Sequence, residues 1–106
     1  MKRIAIIFAA IAMLSCKRQM DVKYELRCVE CAAEYTNEDG EKRAQVVRGA
    51  MDIYMEVDRG TDLRLRAVSG VEDGYIVMRI MNVSRELARA ENYDPFAEET
   101  ITATVK

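Results

Sequence analysis

From residue 22 onward, apolar and polar residues alternate along most of this chain, and a period of two is the mark of half-buried strands. Val22, Tyr24, Leu26 and Cys28 alternate with Lys23, Glu25 and Arg27. Residues 32–36 predict a second short strand, closed by a turn at Asn37-Glu38-Asp39-Gly40. Residues 43–48 form a weaker third. The clearest strand sets Met51, Ile53, Met55 and Val57 against Asp52, Tyr54, Glu56 and Asp58. After a turn at Asp58-Arg59-Gly60-Thr61-Asp62, Leu63, Leu65 and Ala67 alternate with Arg64 and Arg66. Residues 75–81 are nearly all apolar, as in a central strand covered on both sides, and 85–90 fit a short strand or a helical turn. Ile101, Ala103 and Val105 alternate with Thr100, Thr102 and Thr104 in a last strand.

Short strands at spacings of about 8–12 residues predict an all-β domain: an antiparallel β-sandwich of seven or eight short strands, Ig-like in general architecture. One register follows from requiring a shared core. Val57 is expected opposite Leu63 and Met55 opposite Leu65, with Glu56 facing Arg64 and Tyr54 facing Arg66 outside. Within 75–81, Ile76, Met78 and Ile80 share the core face. Tyr75, Val77 and Met81 then form an apolar stripe on the outer face, interrupted by Arg79. That stripe is either covered by a loop or by residues 85–91, or it is a contact face.

The first segment follows a different rule. Lys2 and Arg3 precede an apolar run of about eleven residues, the pattern of a secretory signal. A bilayer-spanning helix needs roughly 20 such residues. Met13-Leu14-Ser15-Cys16 resembles the lipobox at which lipoprotein signals are cut, so residues 1–15 are expected to be removed and Cys16 to carry lipid. Two or three acyl chains, at about 0.8 kcal/mol per buried methylene, hold a protein stably on a membrane. Residues 16–21 then form a tether and 22–106 the domain, with Lys17 and Arg18 beside anionic headgroups. The domain is mildly acidic and holds no histidine, which gives no electrostatic footprint for nucleic acid.

A membrane-tethered N-terminus, Val22-Lys23-Tyr24-Glu25-Leu26 with Cys28 closing the strand, Tyr35-Thr36-Asn37-Glu38-Asp39-Gly40, and the run from Glu99 to Val105 together resemble the MmpS-like small β-sandwich lipoproteins of the Bacteroidetes type. The resemblance implies a small extracytoplasmic sandwich. Mycobacterial members of that family assist lipid-exporting transporters.

Candidate chemistry is sparse. Cys28-Val29-Glu30-Cys31 is a C-x-x-C motif. A structural zinc site wants four ligands, and the chain has no histidine and no third free thiol once Cys16 is acylated. A redox pair belongs at a helix N-terminus, whereas this motif joins two strands. A disulfide pinning the first hairpin and a reduced pair remain. The acids Glu38/Asp39, Asp58/Asp62 and Glu72/Asp73 fall in turns, without the spacing of a calcium loop. Without histidine, Ser69 and Ser84 lack the usual base for a nucleophile. Asn82-Val83-Ser84 matches a glycosylation pattern, read as chance in a bacterial lipoprotein. Met51, Met55, Met78 and Met81 fall at strand spacing and read as core packing, with an exposed recognition face as the sharper alternative.

The expectation is a non-enzymatic, cofactor-free binding or accessory module, lipid-anchored in the cell envelope. The outer membrane, facing the periplasm or the surface, is its expected place, and an envelope transporter or a surface ligand its expected partner. The alternative is a periplasmic carrier of a small apolar ligand or lipid.

Overall fold

A computed structural model describes residues 19–106; the expected signal segment 1–15 and Cys16 lie outside the described residues. The protein is all-β there, with six strands: β1 (Gln19–Thr36), β2 (Lys42–Asp58), β3 (Asp62–Ser69), β4 (Ile76–Asn82), β5 (Arg85–Asn92) and β6 (Glu98–Thr104). All pairings are antiparallel.

The frame is one long hairpin. β1 and β2 pair from Gln19 opposite Asp58 to Thr36 opposite Lys42, and the turn between them is set by Asn37. The Asn37 side-chain oxygen accepts from the backbone N–H of Asp39 and of Glu41, both at 2.9 Å, and Gly40 takes the positive φ of 78° that closes the reversal. Halfway along, the hairpin creases. Cys28 stands opposite Gly49 and Cys31 opposite Val47, so Val29 and Glu30 share one partner position in a β-bulge. β4 pairs with β1 before the bulge, from Val22 to Cys28, and β3 pairs with it after, from Cys31 to Tyr35. β5 flanks β4 and β6 flanks β3, giving the order β5-β4-β1-β3-β6 with β2 along the other side of β1. The outer strands β5 and β6 touch, so the creased sheet nearly closes like a barrel.

Alternation determines what fills it. Tyr24, Leu26, Leu63, Leu65, Ile76, Met78 and Ile80 are fully buried, with Met51, Met55, Val57, Ile101 and Val105 around them. Burying each large aliphatic side chain stabilises the fold by about 1.5–3 kcal/mol. The Tyr24 ring lies 5.5 Å from that of Tyr35, and its hydroxyl donates to the Thr36 carbonyl at 2.8 Å, tying the two halves of β1 across the interior.

Two expectations are corrected and one alternative is decided. There are six strands among the described residues, rather than seven or eight. Segments 22–28 and 32–36 join through the bulge into β1, and 43–48 joins 51–57 into β2. Residues 85–90, open between strand and helical turn, are strand β5. The expected pairing of Val57 with Leu63 and Met55 with Leu65 does not occur. Val57 stands opposite Met20, Met55 opposite Val22, and Leu65 lies between Tyr35 and Ile101. The shared-core premise holds, since all four residues are buried, but β1 occupies the place beside each strand. The link from Asp58 to Asp62 crosses between the two halves, held by Gly60 N–H to Val105 C=O at 2.6 Å and Val105 N–H to Thr61 C=O at 3.0 Å.

Candidate functional site

The C-x-x-C motif builds the crease. A bulge inserts one residue and so flips which parity faces inward: Val22, Tyr24, Leu26 and Cys28 point to the core before it, Cys31 and Ala33 after it. Both cysteines therefore face the same interior, and their sulfurs are bonded, with Cα atoms 6.2 Å apart. Each is at most 1% exposed, whereas Val29 between them is 49% exposed. Gly49, opposite Cys28, has φ of 88°, a conformation that disfavours any side chain. The Gly70 N–H donates to Glu30 C=O at 2.9 Å and fastens the β3–β4 loop to the bulge.

The outward face of β1, β2, β4 and β5 carries the expected stripe. Ile76, Met78 and Ile80 are fully buried, and Tyr75, Val77 and Met81 stand half-buried on the other side. Residues 85–92 do not cover them, because they form the adjacent strand of the same sheet. Charged side chains flank the stripe instead. Val77 stands between Arg27 and Glu91, and Met81 between Lys23 and Glu86. Such side chains lay their aliphatic stems along apolar neighbours while the charges stay in water. Tyr75 departs from the stripe to stack on Tyr93, centroids 6.4 Å apart.

Glu25 is the hub of this face. Lys23 Nζ lies 2.7 Å from its Oε2, while Arg79 donates to its Oε1 from Nε at 3.1 Å and from Nη2 at 2.5 Å. The hydrogen bond from Lys23, reinforced by Arg79, holds the carboxyl below the usual glutamate range despite its burial. A carboxylate held ionised between two cations is a poor general acid. Outside it, Arg27 pairs with Asp52 at 3.0 Å, and Lys23 Nζ sits 5.4 Å from the centre of the Tyr54 ring. Arg89 pairs with Glu91 at 2.9 Å, and Glu91 also accepts from the Tyr93 hydroxyl at 2.9 Å.

The turn acids are not gathered: among the described residues no cluster of three or more acids, cysteines or histidines could hold a metal ion. Asp62 instead accepts from the Thr104 hydroxyl at 2.7 Å. Alternation alone did not single out the most exposed apolar side chains, Val83, Tyr54, Val46, Tyr93 and Phe96. Val83 and Phe96 also hold positive φ, of 54° and 51°, in the β4–β5 and β5–β6 turns. Compared with known proteins, the chain matches no family model and no curated sequence.

Proposed function

We propose that the protein is a lipid-anchored cell-envelope module that works by binding through its surface, as an accessory to an envelope transporter or as a holder of a surface ligand. The observation that carries this reading is the junction of Met13-Leu14-Ser15-Cys16 with the fold: β1 begins at Gln19, three residues after the cysteine. A lipid on Cys16 would bring the membrane to the end of the domain marked by Gln19, Asp58 and the β4–β5 turn. The Cys28–Cys31 crease would stand roughly 30 Å away, nine strand residues at about 3.3 Å each.

We read the two halves of the creased sheet as the layers of a small sandwich of the MmpS-like kind, with six strands; their shared core between facing halves supports this. The carrier reading would need interior space for a ligand. Tyr24, Leu26, Leu65 and Met78 stand there, fully buried.

The test is metabolic labelling with palmitate. The parent chain should incorporate label and partition with membranes. The Cys16→Ala chain should be unlabelled and fractionate in the aqueous phase with an unchanged circular-dichroism spectrum. Label on Cys16→Ala, or none on the parent, would refute the anchor.

A further inference from the structure

The outer edge of β2 is self-complementary. Among the described residues β2 pairs with one strand only, β1, and no strand is hydrogen-bonded to its other edge over its 17 residues. Long edges of this kind are ordinarily blunted by scattered charges. Here the charges are sorted. Val47, Met51, Met55 and Val57 face the core, so the even-numbered residues line the outward face. They read Lys42, Ala44, Val46, Arg48, Ala50, Asp52, Tyr54, Glu56 and Asp58, cations before Ala50 and acids after it.

We propose that two copies of this chain pair antiparallel through β2, about a two-fold axis at Ala50. In that register Lys42 stands opposite Asp58 of the second copy, Arg48 opposite Asp52 and Ala44 opposite Glu56. Val46, 66% exposed, meets Tyr54, 74% exposed. Each of these contacts occurs twice by symmetry. Moving the register two residues sets apolar Val46 against Glu56 or against Asp52 and removes the Arg48–Asp52 pair, leaving at most Lys42 against Glu56. A one-residue shift turns the outer face of one copy to the core side of the other. Parallel in-register pairing sets like charge on like charge. Of these registers, the one centred on Ala50 makes the most ion pairs: Lys42 with Asp58 and Arg48 with Asp52, each twice, with Val46 against Tyr54.

Two further features agree. Arg48 already lies 3.6 Å from Glu30, and Asp52 lies 3.0 Å from Arg27, both exposed pairs. The proposed contact joins them into one row of alternating sign, Glu30–Arg48–Asp52–Arg27, across the two copies. The crease at Gly49 falls one residue from the axis, so two bent strands can follow each other along their length.

The test uses the full chain in detergent. Ala50→Cys should cross-link to a dimer under mild oxidation on a non-reducing gel. Thr102→Cys, exposed on β6, and the parent chain should not. In sedimentation equilibrium, Arg48→Asp should weaken association about tenfold by setting acid against acid, and Arg48→Asp with Asp52→Arg should return it to within about threefold of the parent. Association should also weaken as salt rises. A parent chain that is monomeric at every concentration overturns the proposal. So does a dimer in which the charge swap behaves like the single reversal, or in which Thr102→Cys cross-links as readily as Ala50→Cys.

Discussion

Glu25 occupies a strand position that alternation assigns to solvent, yet its side chain is only 11% exposed. Its partners explain the difference. Lys23 is two residues away, but Arg79 comes from β4, 54 positions along the chain, and no local pattern announces it. Because the folded carboxyl is held below its ordinary value of 4.5, its ionisation stabilises the fold above that pH. The contribution disappears as pH falls through the depressed value. Glu25→Gln should therefore destabilise the protein at neutral pH by about 1–2 kcal/mol, leaving Lys23 and Arg79 without their shared acceptor. The gap between parent and variant in urea titrations should close as pH is lowered below the glutamate range. A gap that is the same at pH 7 and in acid would show that the ion pairs do not carry it.

At the scale of elements, β1 shows what alternation can and cannot report. The faces were legible: every alternating set assigned to the core in 22–28, 63–67, 76–80 and 101–105 is buried or half-buried. Neighbours were not legible, since a period of two says which side a residue faces and nothing of which strand lies beside it. The bulge hid itself for the same reason, because the parity change at Cys28–Cys31 looks like the end of one strand and the start of another. The cysteines themselves were singled out by spacing, and the structure adds why both face inward. Their bridge encloses a very short loop, so it constrains the unfolded chain little. Cys28→Ser with Cys31→Ser should lower stability by about 2 kcal/mol, a shift of several degrees in a thermal melt, with strand content retained. Collapse of the far-ultraviolet strand signal would mean that the bond, rather than the bulge and Gly49, makes the crease.

Across the whole molecule, the outer stripe and the free edge lie in different places and should respond independently. Val77 and Met81 are half-buried among charged neighbours, so replacing both by Thr should cost about 1 kcal/mol, between the loss at a core position and that at a bare surface. Association through β2 should be unchanged by it. A loss above about 3 kcal/mol in denaturant unfolding would place these side chains in the core instead. The crease also bears on how the chain reaches its fold. The β1–β2 hairpin is joined by a tight turn and can acquire its register from contacts near in sequence, within microseconds for a hairpin of this kind. Everything that makes it bend comes later in the chain: β3 attaches to one half and β4 to the other, and Tyr24 reaches Thr36 only once the ribbon has doubled over. The slow event is thus the doubling, a search over long loops whose closure entropy sets the rate, and until it ends the ribbon shows water one continuous apolar side.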